Sequence, residues 1–251
     1  MQLSQLLKKQ GLKALLAFLI YAFNHRVLNK YFRGSFSQKG EDLEVDKYFN
    51  HKKRGFYVDV GASHPERFSN TNYLYQKGWR GINIEPHPTR IKLFSSARKR
   101  DINLNVGVSN KEGVAIFYEF EAGSLSTFSK KEADTLLKVG YKLMKKSKIK
   151  VYKLNTIFKK YVKSEIDFMT IDTEGLDMEV LKSNDWKIFR PKLLCVETVD
   201  FIDLLTGSSK VSKRKEVISI YLLSKGYSEC LSNGLNTIYE DMKQISNKSL
   251  L

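Results

Sequence analysis

From Gly55 onward, short apolar blocks with the spacing of strands alternate with blocks of helical spacing. That order points to a sheet built from βαβ units rather than a sandwich or a bundle. Phe56–Val60 reads as a buried strand ending at Gly61, with a helix over Phe68–Lys77 behind it, stopped by Gly78. Gly81–Glu85 predicts a second strand, Thr89–Arg100 a second helix and Ile102–Val108 a third strand. The period then loosens: Val114–Phe120 reads as an added strand and Lys130–Lys146 as a helix. Ile166–Ile171 resumes the main sheet, Leu176–Ser183 is helical, Leu193–Thr198 is the next strand and Lys213–Lys225 the next helix. Tyr227–Leu231 and Leu235–Glu240 are β-prone runs joined by Ser232-Asn233-Gly234, and Asn-Gly between such runs favours a tight hairpin. The prediction is an α/β domain over residues 35–251, a mostly parallel sheet with helices on both faces, closed by an antiparallel hairpin that a plain dinucleotide fold lacks.

Residues 1–34 read differently. Ala14–Phe23 is an unbroken apolar run preceded by Lys8, Lys9 and Lys13. No small-residue cleavage site follows it, and the run is well short of the ~20 residues that cross a bilayer. Leu3–Tyr31 is expected to be a helical extension with two alternative uses: packing on the domain or on a second subunit as a homo-oligomer, or lying in an anionic membrane surface. The setting expected is cytoplasmic, with peripheral contact at the inner membrane face.

The 251 residues are 42% hydrophobic and 12% aromatic, enough for one sizeable core, which excludes collagen-like, disulfide-scaffold and wholly disordered chains. The 43 Lys+Arg against 27 Asp+Glu give a net +16, a field that attracts anions without choosing among them. Twelve of the lysines lie between Lys130 and Lys163, against Glu132 and Asp134 alone. Such a stretch is ordinarily a solvated face, with one wall of a site for an anionic acceptor as the alternative. Cys195 and Cys230 lack ligand spacing and read as small buried thiols of a reducing compartment.

The chemistry concentrates at acidic strand ends. In open α/β sheets, ligands bind outside the carboxyl ends of the strands. Asp59-Val60-Gly61-Ala62, Glu85-Pro86 and Asp172-Thr173-Glu174-Gly175 therefore face one crevice. Gly61 would let a ligand approach the backbone closely. Glu85 follows it by 24 residues, the place of an acid that accepts hydrogen bonds from ribose hydroxyls. Asp59 could receive the ammonium of an amino-acid tail. The run Gly61-Ala62-Ser63-His64-Pro65-Glu66 lacks the glycines that cradle a pyrophosphate, which argues for a nucleoside without phosphates. S-adenosylmethionine fits that description.

Ser37-Gln38-Lys39-Gly40-Glu41-Asp42, Tyr57–Pro65, Ser69-Asn70-Thr71, Gly78–Pro86, Ile166-Asp167-Phe168, Ile171–Gly175 and Arg190-Pro191 leading to Glu197 occur in one order. Together they resemble the FkbM-type family of S-adenosylmethionine-dependent methyltransferases, from about Ser35 to Tyr239. The resemblance implies the class I methyltransferase fold, with a seven-stranded sheet, and methyl transfer to a hydroxyl of a sugar, polysaccharide precursor or specialised metabolite. The cofactor contacts it implies are Gln38, Glu41, Asp59, Gly61, Ala62, Asn70, Thr71, Glu85, Val106 and Asp172. It does not cover the N-terminal helix or the lysine-rich segment.

Methyl transfer to an alcohol is an in-line displacement that needs aligned reactants and a proton acceptor. Asp172 and Glu174 are the leading bases and His64 the alternative, while Asp172 could instead cap the helix near Leu176. Asp172, Glu174 and Glu197 could also hold Mg²⁺. Trp79 and Trp186 read as packing residues, and His25, His51 and His87 have no assigned role. A different reading, a nucleic-acid-binding protein or RNA methyltransferase acting through Lys130–Lys163, is disfavoured because arginine forks and stacking aromatics are missing there. A membrane-surface scaffold without activity is disfavoured by the intact Asp59, Gly61, Glu85 and Asp172.

Overall fold

The computed structural model describes residues 34–199 and 212–243. The expected Leu3–Tyr31 helix lies outside them.

Seven strands form one sheet: β1 Phe56–Val60, β2 Arg80–Ile84, β3 Ile102–Leu104, β7 Phe168–Ile171, β8 Leu193–Glu197, β9 Tyr227–Ser232 and β10 Asn236–Asp241. Their order is β3-β2-β1-β7-β8-β10-β9. β1, β2, β3, β7 and β8 run parallel, and β10 is antiparallel to both β8 and β9. The chain fills the sheet outward from β1 to β3 and then returns to the other side of β1, so the crossover point lies between β1 and β7.

Strand periodicity explains the two cores, because successive side chains leave opposite faces. Val58, Val60, Met169, Ile171, Leu194 and Val196 enter one core. They meet α5 (Leu154–Tyr161), α6 (Asp177–Lys182) and α7 (Lys213–Ser224) through Leu154, Ile157, Phe158, Val180, Leu181, Ile218 and Leu222. Tyr57, Phe168, Leu193 and Cys195 enter the other core, against Val45 of α1 (Glu41–Tyr48) and Leu74 of α2 (Asn72–Gln76). Trp79 and Trp186 are packing residues: the indole N–H of Trp79 donates to Lys52 O at 2.8 Å and that of Trp186 to Leu181 O at 3.0 Å. Cys195 is buried, whereas Cys230 is exposed because β9 is the sheet's edge strand.

Several boundaries differ from expectation for local reasons. Phe68–Lys77 contracts to α2, because Phe68 sits at φ 56° and the Ser69 hydroxyl accepts the Asn72 N–H at 3.1 Å, starting the helix there. The helix expected over Thr89–Arg100 is α3 (Pro88–Ala97). The strand expected over Ile102–Val108 is two: the Asn105 amide donates to Glu85 O and Pro86 O, both at 2.9 Å, and turns the chain away from the sheet. Beyond it β4 (Gly107–Val108), β5 (Gly113–Phe120) and β6 (Leu143–Tyr152) make a second sheet, ordered β4-β6-β5. The helix expected over Lys130–Lys146 ends at Lys138 as α4, since Gly140 at φ 92° closes it and Tyr141 N–H donates back to Leu136 O. The rest of that lysine run is β6, with Ile149 and Val151 buried between exposed lysines. Helices α1 and α5 were not expected, although Leu154, Ile157 and Phe158 carry the spacing of one buried helical stripe. Among the described residues no helix is long and apolar enough to cross a membrane.

Glu41, expected in the crevice, instead binds the far hairpin to α1. Its buried carboxylate accepts from the side-chain amides of Asn233 at 2.8 Å and Asn236 at 2.7 Å, and from Lys39 N–H at 2.8 Å. Glu41→Ala leaves those amide donors without an acceptor and should cost about 2–4 kcal/mol in urea unfolding, with Glu41→Gln costing less. A loss below about 0.5 kcal/mol would show that the hairpin is held by packing alone.

Candidate active site

A solvent-open cleft with about 1000 Å³ of empty space lies at the carboxyl ends of β1, β2 and β7, roofed by the second sheet and the turn Gly123–Leu125. Gln38, Asp59, Gly61, Ala62, Asn70, Glu85, Val106, Asp172 and Glu174 all line it. Glu41, Thr71, His64 and Glu197 do not.

Gly61 sets the floor. At φ 81° its position admits no side chain, since a Cβ would lie 1.8 Å from the Asp172 carbonyl oxygen. The glycine is therefore required by the approach of β1 to β7, not by the approach of a ligand. The following loop is pinned from below by the buried Arg98, which donates to Pro65 O at 2.6 and 3.0 Å and to the Ser69 hydroxyl at 3.1 Å. Thr71 acts through its neighbour, donating to Asp59 Oδ2 at 2.7 Å. The Asn70 amide donates to Thr170 Oγ1 at 3.0 Å.

The carboxylates meet different fates. Glu85 accepts the backbone N–H of Ser63 and of His87, each at 2.7 Å, while burial raises its pKa. Burial lifts Asp59 to about 6, against the opposing hydrogen bond from Thr71. Asp177 and Glu197 are both ion-paired with the Arg214 guanidinium, Glu197 at 2.9 Å. Asp172 has no such partner: its Oδ1 is buried without a hydrogen bond among the described residues. Burial first, and the nearby Asp177 second, raise it to about 7. Glu174, in the left-handed region at φ 51°, is also raised, by burial and by Asp172. Asp172 does not cap the following helix; Asp177 makes the turn bonds there, accepting from Thr173 N–H and Oγ1 at 2.9 and 3.1 Å.

His64 has a structural duty. Its Nδ1 accepts the N–H groups of Glu66 and Arg67, both at 3.1 Å, so in the neutral ring Nε2 carries the proton and no lone pair faces outward. Of the three residues that could hold Mg²⁺, Glu197 is bound to Arg214, and among the described residues no three His, Cys, Asp or Glu side chains converge as a metal set. The lysine-rich segment is spread over α4, β6 and α5 and contributes no side chain to the cleft. Sequence reasoning missed Arg90, which does line it. It also missed Phe117 and Phe128, 4.7 Å apart between ring centroids, in the roof.

A mostly parallel sheet with this crossover point, carrying acids at the carboxyl ends of β1, β2 and β7, is a doubly wound architecture of the kind that binds ligands at those strand ends. Residues 59–228 match the family model described as the methyltransferase FkbM domain, and the chain belongs to that family of S-adenosylmethionine-dependent methyltransferases. No curated protein matches it. Among solved structures it is similar to the METTL16 methyltransferase domain (10% identity, TM-score 0.42), covering 80% of this chain and 66% of that one. It is similar also to cofactor-bound Rv0187 from MTB (11% identity, TM-score 0.42, 95% and 94% covered). A putative O-methyltransferase from Klebsiella pneumoniae is a third (9% identity, TM-score 0.36, 80% and 79% covered).

A raised carboxyl pKa means that the fold favours the neutral acid. Below the unfolded value near ~4 Asp59 is neutral in both states and carries no penalty; stability is lost as pH rises through about 6. Asp59→Asn, which keeps an acceptor for Thr71, should therefore raise thermal stability at pH 7.5 by on the order of 2 kcal/mol, and by nothing measurable at pH 4. Calorimetric melting at the two pH values checks this; an equal gain at both would mean that the charge on Asp59 is not the source.

Proposed function

We propose that the protein transfers a methyl group from S-adenosylmethionine to a hydroxyl oxygen of a sugar, polysaccharide precursor or specialised metabolite. The observation that carries this reading is the unpartnered Asp172 Oδ1, in a residue on the floor of the cleft whose affinity for a proton is close to neutral. An alcohol must lose its proton as it becomes a nucleophile, and a base poised near the working pH suits that task.

The cleft residues fit the cofactor. Each Glu85 oxygen holds one backbone N–H and keeps capacity for a ribose hydroxyl. Asp59, beside Asn70 and Gln38, offers negative charge to an ammonium, and Val106 and Val108 offer apolar surface to a base. When bound, the cofactor supplies an electrophilic methyl carbon on a sulfonium. The acceptor oxygen forms the new C–O bond as the C–S bond breaks, its electron pair staying on sulfur, and Asp172 takes the hydroxyl proton. Phe117 and Phe128 add apolar surface to the roof. Burial and the neighbouring Asp172 favour the neutral form of Glu174, so Asp172 is the carboxylate of the pair that this reading uses as the base.

Calorimetric titration with S-adenosylmethionine and with its demethylated product should give micromolar binding that Glu85→Ala weakens at least thirtyfold, about 2 kcal/mol. Unchanged affinity in the variant would overturn the assignment of the ribose end. For the chemical step, turnover should rise about tenfold per pH unit up to about 7 and level off above it, because Asp172 must be ionised to accept a proton. Asp172→Asn should remove that rise and lower turnover by about 10²–10⁴-fold; a variant with intact turnover would assign the proton to another group.

A further inference from the structure

The cleft holds a cation that neither the cofactor reading nor the proton transfer uses. Arg90, on α3, is half-buried in the wall between the Glu85 end and the Gly123–Leu125 turn. Among the described residues its guanidinium makes a single hydrogen bond, from Nη1 to the Ser63 hydroxyl at 2.6 Å, and no ion pair. The nearby acids are occupied or too far for one. Glu85 gives both oxygens to backbone N–H groups, and Glu174 and Glu85 act on Arg90 only through space. Arg90 lines the cleft, and its other N–H donors have no hydrogen-bond partner among the described residues.

The roof turn packs directly against this guanidinium. A Cβ at Gly123 would lie 2.6 Å from Arg90 Nη2, so the turn that roofs the cleft approaches the guanidinium as closely as a glycine allows. A half-buried, unpaired guanidinium costs desolvation that a surface arginine avoids, and the fold retains it facing the cavity in which the acceptor must sit. The lysine-rich segment, with far more charge, sends nothing into the cleft.

We propose that Arg90 binds an oxyanion of the methyl acceptor, a carboxylate or a phosphate, so that the substrate is an acidic hydroxyl compound rather than a neutral one. A planar fork of donors pairs with either group in two parallel hydrogen bonds. The Ser63 hydroxyl holds the fork in orientation. This rests on the methyl-transfer reading, because it places the acceptor in the same cleft, next to the ribose end where Ser63 links Arg90 to Glu85.

The test uses the full chain saturated with S-adenosylhomocysteine, titrated with inorganic phosphate, glucuronate and glucose. Phosphate or glucuronate should bind at least tenfold tighter than glucose, and the stronger of the two names the source of the charge. Arg90→Gln should abolish the difference while affinity for S-adenosylhomocysteine stays within threefold, and Arg90→Lys should restore part of it. No preference for anions in the wild-type complex overturns the proposal, as does a tenfold loss of S-adenosylhomocysteine affinity in Arg90→Gln, which would make Arg90 a cofactor contact. If S-adenosylhomocysteine does not bind the wild-type chain at all, the methyl-transfer reading has failed instead, and this proposal falls with it.

Discussion

One glycine holds the ends of three strands together. Gly61 leaves β1 in the left-handed region, donates its N–H to Ile84 O at the end of β2 at 2.9 Å, and lies so close to the Asp172 carbonyl at the end of β7 that no Cβ fits. Each contact alone is an ordinary feature of a twisted parallel sheet. Jointly they bring the carboxyl ends of β1, β2 and β7 to one point, and those ends carry Asp59, Glu85 and Asp172. Any side chain at position 61 would push β7 away from β1 and separate Asp172 from Asp59 and Glu85.

Having collected acids in one buried place, the fold must dispose of their charge. It does so unequally. Glu85 is met by two backbone N–H groups, which oppose the rise in pKa that its burial causes. Asp177 and Glu197 are absorbed by Arg214, whose own charge they stabilise. Asp172 is left with burial and neighbouring negative charge, both of which favour its protonated form. The same carboxyl group thus meets three different electrostatic environments, set by its surroundings alone.

Much of this was legible in the sequence because its cause is local. The strand ends, the closing hairpin and the acids at positions 59, 85 and 172 follow from apolar runs broken by Gly61, Pro86 and Gly175. What was not legible depends on partners far along the chain. Glu41 stands in a motif shared with the crevice residues, yet its amide partners lie on the hairpin 192 and 195 positions away. His64 looked free because nothing in its own sequence announces that Glu66 and Arg67 donate to its ring. The lysines of β6 hid a strand: lysine favours helix in isolation, and the buried alternation of Ile149 and Val151 decides the matter only once β4 and β5 lie on either side. Arg90 was passed over as one basic residue of an ordinary amphipathic helix, and only the cavity distinguishes it from its exposed neighbours.

The insertion between β3 and β7 explains why the two halves of the cleft can be read so unequally. Floor residues are fixed by the parallel sheet, whose register leaves no freedom at the strand ends. The roof is a separate sheet, joined to the floor by few polar contacts, among them Thr127 Oγ1 to Glu174 O at 2.8 Å. Its residues toward the cleft, among them Phe117, Phe128, Ser124, Ser126 and Thr127, carry no charge, so the roof supplies shape and neutral polar groups. The charge that an acceptor meets must then come from the floor and its flanking helix, where Arg90 stands against Asp172 and Glu174. A cleft with positive charge on one wall and a proton acceptor on the other orients a molecule that carries both an oxyanion and a hydroxyl, and gives a neutral molecule much less reason to adopt one direction.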